Sequence, residues 1–215
     1  MQKELLKTAN GNLPRTEEEK QSMIEEAAKH YASFLTALGF DYEADENSRD
    51  TPRRVAKAWV NDIISGCLSE EPKITAFPNE KYAGMVVQTF IPVKSLCSHH
   101  NLPISGYAHV AYIPSETGKV IGLSKLNRIV DFVGKRPQLQ EALTQMVHDM
   151  IDSKCEDNIG VAVMVQAKHF CTCHRGVHHD SVMSTMAVSG VFLDNEKQSR
   201  NEFLEHISMN TKLKS

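Results

Sequence analysis

The stretch GLSKLNRIVDFVGKRPQLQEALTQMVHDMIDSK, residues 122–154, decides the fold that the sequence predicts. Between 122 and 136, apolar residues at positions 123, 126, 129, 130 and 133 have the spacing of a helix with one buried face. Pro137 then suits the first position of a second helix over 137–154. The sequence therefore predicts two consecutive helices in the middle of the chain.

A pair of strands is predicted on each side of these helices. The segments are MVVQTFIPV (85–93) and SGYAHVAYIP (105–114) before them, and IGVAVMVQAKHFC (159–171) and MSTMAVSGVFL (183–193) after them. The resulting order, β-β-α-α-β-β, indicates an α+β domain with an antiparallel sheet. A sheet of four strands has open edges, which favours pairing between subunits.

The sequence that precedes this domain predicts helices. Thr16 and Glu19 form a capping box that opens a helix over 17–38, and Gly39 is typical of the residue that follows a helix. We expect an N-terminal helical region over 1–66.

Two more helices are expected near the ends of the two regions. Thr51 and Pro52 suit the N-cap and the first position of a helix that continues through Trp59 to Ser65. A short helix is expected over 196–207, close to the end of the chain. The remaining sequence, 67–215, is expected to form the α+β domain.

Composition places the chain among ordinary globular proteins. Of its 215 residues 41% are hydrophobic and 24% are charged, and the formal net charge is -3. Because no global basic field is present, we expect no nucleic-acid partner, and a polyanionic ligand would need a local basic cluster. No apolar run approaches the roughly 18 residues that cross a membrane, and the first 20 residues lack the apolar stretch of a signal peptide. We therefore expect no membrane association and a cytoplasmic location.

The segment SLCSHHNLP, residues 95–103, suggests a metal site. Cys97 and His100, at C-x-x-H spacing, can reach one metal ion, and KHFCTCHRGVHH (168–179) is the obvious source of a third ligand. If 159–171 is a strand, alternation places His169, Cys171 and Cys173 on one face. Three protein ligands and one open position are typical of catalytic zinc, whereas four ligands are typical of structural zinc.

The other cysteines and histidines have simpler interpretations. Five cysteines in a reducing compartment are expected to be thiols, and Cys67 and Cys155 are expected to be ordinary buried residues. Cys173 is left open as a fourth ligand. The histidines at 174, 178 and 179 are expected to be solvated loop residues.

A small polar cluster lies at the start of the helix over 123–134. Ser124, Lys125 and Arg128 sit opposite most of its apolar stripe, and Gly122 leaves the N–H groups of the helix start open to phosphate. The same pattern also fits an ordinary solvated charged face.

Seven segments in this order resemble the GTP cyclohydrolase I family, from about Thr51 to about Phe203. The segments are TPRRVAKAW, CSHHNLP, YIP, VIGLSKLNRIV, RPQLQEALT, HFCTCHRGV and the FL before the last helix. The resemblance implies that 67–215 forms a T-fold catalytic domain, assembled as a toroidal decamer with sites between subunits. It also implies that the protein opens the guanine ring of GTP, releases formate and forms 7,8-dihydroneopterin triphosphate.

The resemblance also implies roles for individual residues. Cys97, His100 and Cys171 correspond to zinc ligands, and His99 and His169 to catalytic histidines. Ser124, Lys125, Arg128 and Arg175 correspond to triphosphate contacts, with Arg54 as a further one, and Gln140 and Glu141 to the guanine-binding pair. In the chemistry so implied, zinc activates a water for attack at C8, His169 protonates N7, and His99 assists the later steps.

Two departures from the family pattern bear on these roles. Where the family usually has C-E-H-H, this chain has Cys97-Ser98-His99-His100, so a carboxylate beside the metal site is missing. CTCHRGVHH (171–179) also carries an additional thiol and additional imidazoles. Two alternatives stay open at this point: another T-fold enzyme acting on a purine or pterin, and a non-catalytic zinc-stabilised binding module.

Overall fold

The computed structural model describes residues 4–194 and 198–214 of the chain. The chain separates into two compact units, Met1–Glu71 and Pro72–Ser215. The division expected from the sequence, between 66 and 67, falls slightly earlier. The assignment of the second unit as catalytic stays a prediction at this point.

The first unit is helical. Its helices are α1 (Glu17–Ala37), α2 (Thr51–Ala58) and α3 (Ser65–Leu68), with a π-helical turn over Trp59–Ile63 between the last two. Its buried core consists of Ile24, Ala56, Val60, Cys67 and Leu68.

Local capping signals predicted the ends of α1 correctly. The Thr16 Oγ accepts the Glu19 N–H at 3.2 Å, while the Glu19 carboxylate accepts the Thr16 N–H at 2.8 Å, so the capping box is confirmed. Gly39, with φ of 86°, follows the helix in the left-handed conformation that glycine adopts readily. The second helix is predicted less well, because it starts at Thr51 after Asp50 and a π-helical turn interrupts it.

We expect Thr16→Ala to lower the free energy of unfolding of the first unit by about 1 kcal/mol, since it removes the side-chain cap. Urea unfolding followed by far-UV circular dichroism would measure this change. Ser33→Ala is the matched control, because the Ser33 hydroxyl only donates back to the Lys29 carbonyl at 3.1 Å within the same helix. An equal loss in both variants would contradict the capping role.

The second unit contains a five-stranded sheet with helices. In chain order its elements are β1 (Ala76–Pro78), β2 (Val86–Cys97), β3 (Leu102–Pro114), β4 (Lys119–Ile121), α4 (Leu123–Gly134), β5 (Pro137–Gln138), α5 (Gln140–Lys154), β6 (Asn158–His169), α6 (Phe170–Cys173), β7 (Val182–Val188) and α7 (Ser199–Lys214), with a 3-10 turn over Gly190–Phe192. The sheet order is β5-β2-β3-β6-β7, and β1 pairs separately with β4. All neighbours are antiparallel except β5 and β2, so the mixed α+β fold with two central helices is confirmed.

The interval between α4 and α5 differs from the prediction. Pro137 does not begin a helix: it pairs with Leu96 in a short parallel strand, and α5 begins only at Gln140. Proline is compatible with this position because β5 is an edge strand. A residue of an edge strand does not need an N–H donor for a second neighbouring strand. The helix is therefore shorter than the apolar pattern alone suggests.

Several strand and helix limits also differ from those expected. The strand predicted over 159–171 ends at His169, because the chain turns into the short helix α6, so strand alternation does not extend to Cys171 and Cys173. The strands β1 and β4 were not predicted. The last helix covers Ser199–Lys214, and residues 196 and 197 of the predicted helix lie outside the described residues.

The main core lies between the sheet and the helices α4 and α5. The apolar stripe of α4, including Leu126, Ile129 and Val133, is buried there with residues of β2, β3 and β6. Cys155 belongs to the same core, and burial raises the pKa of its thiol to about 11. Cys67 is buried in the first unit, so both cysteines are ordinary buried residues, as predicted.

The opposite face of the sheet is covered at one end by the 3-10 turn and α7. Phe192, Phe203 and Ile207 are buried there against Ala111 and Ala162. Within the part of the chain that the structure describes, none of the helices is both long and apolar enough to span a bilayer.

Candidate active site

The ends of β2 and β6 meet at one end of the sheet. Cys97 is the last residue of β2, and His169 is the last residue of β6. The intervening strand β3 pairs with both, placing Leu102 opposite Cys97 and Ile104 opposite His169. Two residues that are 72 positions apart in sequence, 169 minus 97, are thereby brought to the same place.

A tight turn over 98–101 connects β2 to β3. Asn101 has φ of 52°, a conformation that asparagine tolerates, and its N–H donates to the Cys97 carbonyl at 2.8 Å. The turn presents His99 and His100 on its exposed outer side, with their rings 6.4 Å apart. Ser98 is anchored behind them, because its N–H donates to the Gln138 carbonyl at 3.3 Å.

Cys97, His169 and Cys171 form a cluster with three donor atoms, all within 4.8 Å of one another. Cys97 is 3% exposed, and the other two residues are half-buried. Ligand atoms of one tetrahedral zinc lie roughly 3.3–3.8 Å apart, given zinc–sulfur and zinc–nitrogen bonds of about 2.3 and 2.0 Å. Two sulfurs and one imidazole nitrogen within 4.8 Å of one another are therefore close enough to converge on one zinc ion, with one position left for water or substrate.

Electrostatics in the cluster favours a cation. Burial raises the pKa of the Cys171 thiol, as do its hydrogen bond and charge interaction with Cys97, while Arg175 acts in the opposite direction. Two adjacent thiols resist joint ionisation unless a cation lies between them. Burial also lowers the pKa of His169, whereas the charge of Glu141 acts to raise it. The net lowering favours the neutral imidazole, which is the form that binds a metal or accepts a proton.

His100 is not part of this cluster. Its Nε2 lies 3.4 Å from Nη1 of Arg175, at the exposed surface of the turn. The structure thus brings Cys97 and Cys171 together as predicted, but the histidine beside them is His169. The assignment of His100 as a ligand and of His169 as a catalytic residue stays a prediction.

Cys173 also lies apart from the cluster. Its thiol points to the Asp180 carboxylate at 3.9 Å, and Asp180 in turn binds Lys168. The histidines at 174, 178 and 179 are exposed, as expected of loop residues. Among the described residues, the donor set therefore has three members rather than the four of a closed structural site.

Comparison with known proteins shows the family of the chain. The family model for GTP cyclohydrolase I matches residues 27–208. The chain belongs to the GTP cyclohydrolase I family. GTP cyclohydrolase 1 of Flavobacterium johnsoniae is 44% identical over 200 residues, which cover 91% of this chain and 85% of that protein.

Two further relatives show the same extent of similarity. GTP cyclohydrolase 1 of Vibrio cholerae is 42% identical over 88% of this chain and 85% of its own length. The enzyme of the same name from Aeromonas hydrophila is 41% identical over 86% of this chain and 84% of its own length. The relatives are matched across both units, so the N-terminal helices are part of the similarity to GTP cyclohydrolase I.

The residues predicted to contact phosphate lie on different elements. Ser124, Lys125 and Arg128 are in the first two turns of α4, where Ser124 and Arg128 are exposed and Lys125 is half-buried. Gly122 is the N-cap of this helix and brings no side chain, so the first N–H groups are not capped by one. Arg175 lies beside His100, and Arg54 belongs to the first unit, where it pairs with Asp50 at 3.4 Å.

The two residues predicted to bind guanine differ in exposure. Glu141 is exposed in the first turn of α5, close enough to His169 for its charge to act on that imidazole. Gln140, directly before it, is completely buried, and protein atoms contact both ends of its side-chain amide. The guanine contact of Gln140 stays a prediction.

Two threonines that the sequence patterns did not single out contribute to this site. Thr144 and Thr185 are hydrogen-bonded to each other at 2.6 Å, and Thr185 also contacts the Gln140 amide at 3.1 Å. The spacing of Thr144, one helical turn after Gln140, was the only available sequence signal for the pair. Thr185 gave none, because its position depends on the pairing of β7 with β6.

Proposed function

We propose that the protein hydrolytically opens the guanine imidazole ring of GTP, with release of formate and rearrangement to 7,8-dihydroneopterin triphosphate. The observation that carries this proposal is the Cys97–His169–Cys171 cluster in a chain that belongs to the GTP cyclohydrolase I family. A three-ligand set supports a catalytic site over a closed zinc module. Two thiols beside the imidazole of His169 support zinc-dependent hydrolysis over a reductase that uses a single nucleophilic cysteine.

The proposed metal is zinc, held by Cys97 and Cys171 with His100 as the third ligand, as the family resemblance implies. The geometry of the cluster taken alone would use His169 in place of His100. When bound, zinc supplies Lewis acidity and a water activated for attack near neutral pH. The chain contributes the soft thiol donors, their burial and an exposed histidine turn that contains His100. In this assignment His169 is free for proton transfer to guanine N7 during attack at C8, and His99 serves the later steps.

Substrate recognition in this proposal uses charges of both signs. GTP carries up to four negative charges, whereas the chain has a net charge of -3, so a local basic group must bind the triphosphate. Ser124, Lys125 and Arg128 on α4 supply it, with Arg175 and Arg54 as further contacts. The Glu141 carboxylate accepts hydrogen bonds from N1–H and from the 2-amino group of guanine, a pair of donors that adenine lacks.

The proposed assembly is a T-fold homo-oligomer, a toroidal decamer with active sites between subunits. The free edge strand β7 supports association, because Val182, Met183 and Met186 are between 36% and 57% exposed along it. A cytoplasmic location also stays a prediction.

The experiment that tests the function is GTP turnover by the purified, zinc-loaded protein. We expect stoichiometric formate and, after oxidation, a fluorescent pterin. A folded, zinc-containing protein that releases no formate from GTP would contradict the proposal, and would point to the missing carboxylate at Ser98 as the difference that matters.

The zinc content of variants distinguishes the proposed metal-binding role of His100 from the proposed proton-transfer role of His169. We expect His100→Ala to lose most of its bound zinc, while His169→Ala keeps about one zinc per chain but loses turnover. Metal analysis of both variants after gel filtration in zinc-free buffer would measure this. Zinc loss confined to His169→Ala would reverse the two roles, in agreement with the cluster geometry. Zinc loss in both would mean that both imidazoles bind the metal.

A further inference from the structure

Gln140 occupies an unusual position for a residue next to a substrate site. It is the first residue of α5, and its side chain has no exposed surface. Its Nε2 lies 3.1 Å from the Val165 carbonyl and 3.0 Å from the Met183 carbonyl, on β6 and β7. Its Oε1 lies 2.8 Å from Nε2 of His169.

The two backbone carbonyls fix the orientation of the Gln140 amide. A carbonyl oxygen only accepts hydrogen bonds, so the end of the amide that faces Val165 and Met183 must be the NH2 group. The opposite end, which faces His169, is then the oxygen. An amide turned the other way would set an oxygen against two carbonyls in a buried site, which costs the desolvation of unpaired groups.

The two threonines give the same orientation independently. Thr144 donates its hydroxyl proton to the Gln140 backbone carbonyl at 2.8 Å, one turn back along α5. In the 2.6 Å contact between Thr144 and Thr185, the donor must therefore be Thr185. With its own proton committed, the Thr185 Oγ1 can only accept from Gln140, at 3.1 Å, which again requires NH2 at that end of the amide.

We infer that Gln140 is a positioning residue that fixes the tautomer of His169. Because Oε1 of Gln140 has no proton to donate, the 2.8 Å contact requires that Nε2 of His169 carries one. The free lone pair of the neutral ring is then on Nδ1. In the proposed function, where His169 does not hold the metal, the nitrogen that exchanges a proton with the substrate is therefore Nδ1. The ring cannot rotate to offer Nε2 without losing its bond to Gln140.

This role differs from a guanine contact. A direct contact with guanine would require the Gln140 amide to leave two backbone carbonyls, a threonine and His169. The inference therefore leaves recognition of the base to the exposed Glu141 and gives Gln140 a role in proton transfer. Its kinetic consequence rests on the proposed function, whereas the tautomer itself does not.

Neutron diffraction from crystals of the wild-type protein, exchanged into D2O at pH 8.5, tests the tautomer directly. That pH lies well above the ordinary imidazole range, so the ring is neutral. We expect a deuteron on Nε2 of His169, pointing to Oε1 of Gln140, and none on Nδ1. A deuteron on Nδ1 would overturn the inference. This measurement needs neither a variant nor turnover, so it decides the tautomer even if the protein does not act on GTP.

Variants test the consequence for catalysis. We expect Gln140→Leu to lower kcat for GTP by about 10–100-fold, the usual effect of losing a partner that orients a functional imidazole, with KM changed less than about threefold. Gln140→Glu keeps an oxygen acceptor for His169 and should recover part of kcat. Gln145→Leu, an exposed glutamine on the same helix bonded to Asp149, is the matched control and should retain full activity.

Separate measurement of kcat and KM decides whether Gln140 positions His169 or contacts guanine. A large rise in KM with kcat retained would overturn the positioning role and restore the guanine contact. Equal kcat losses in the Leu and Glu variants, with native melting temperatures, would also overturn it, because the acceptor oxygen would then be irrelevant.

Discussion

Cys171→Ser is expected to release formate from GTP at less than about one hundredth of the wild-type rate, since even partners beyond the metal ligands typically contribute 10–100-fold. Serine keeps the shape of the side chain but replaces a soft thiol with a hydroxyl that stays protonated at neutral pH. The half-buried thiol lies against Cys97 in a hydrogen-bonded pair, so its loss removes one of two sulfurs from the cluster. Formate release and zinc content, measured on the same preparation, would show both effects.

Cys173→Ser is the matched control for this experiment. It changes the same residue type two positions further on, but its thiol contacts Asp180 and lies outside the three-residue cluster. We expect it to keep zinc and most of its turnover. If Cys173→Ser lost zinc as Cys171→Ser does, the site would have four protein ligands, and the binding-module alternative would be favoured over the enzyme. Unfolding of the protein by a chelator would point the same way.

Glu141→Ala is expected to lower kcat/KM for GTP by about 100-fold or more while zinc is retained. The carboxylate would lose two hydrogen bonds to guanine, and a hydrogen bond to a charged group is worth about 1.5–3 kcal/mol. The cost in stability is smaller, because an acidic residue in the first turn of a helix contributes only about 0.3–1 kcal/mol. Steady-state turnover with GTP, together with metal analysis, would separate the loss of recognition from the loss of the metal.

Asp149→Ala is a suitable control for Glu141→Ala, because Asp149 is an exposed carboxylate on the same helix. Among the residues that the structure describes, its side chain contacts only His148 and Gln145, which both belong to α5. We expect it to leave turnover unchanged. The selectivity for GTP over ATP should also fall in Glu141→Ala and not in Asp149→Ala. Full GTP turnover in Glu141→Ala would rule out this carboxylate as the guanine contact.

Local signals predicted much of the secondary structure. The capping box at Thr16, the glycine at 39 and the apolar stripe of α4 each act within a few residues, so they can be recognised from the sequence. The interval at 137–139 was predicted wrongly for the same reason. A proline before an apolar pattern indicates a helix start locally, but pairing of Pro137 with Leu96 in β2 makes it a strand.

The candidate site shows the same division between local and distant interactions. The residue types at Cys97, His99, His100, His169 and Cys171 already indicated zinc chemistry in the sequence. The pairing of β3 with β2 and β6 decided which of them lie together, and it placed His169 beside the thiols, with His100 beside Arg175. Residue spacing alone could not give this, because it depends on strand register.

By itself, the sequence determined the α+β order of the elements, the similarity to GTP cyclohydrolase I and the donor atoms available for a metal. Only the tertiary structure decided the environment of each donor: the buried Gln140 amide, its orientation by Thr144 and Thr185, and its bond to His169. The physical reason is the separation along the chain between the residues that interact. Periodicity and capping depend on neighbours along the chain, whereas hydrogen-bond direction in a buried network depends on residues that β6, β7 and α5 bring together from 25 to 45 positions apart.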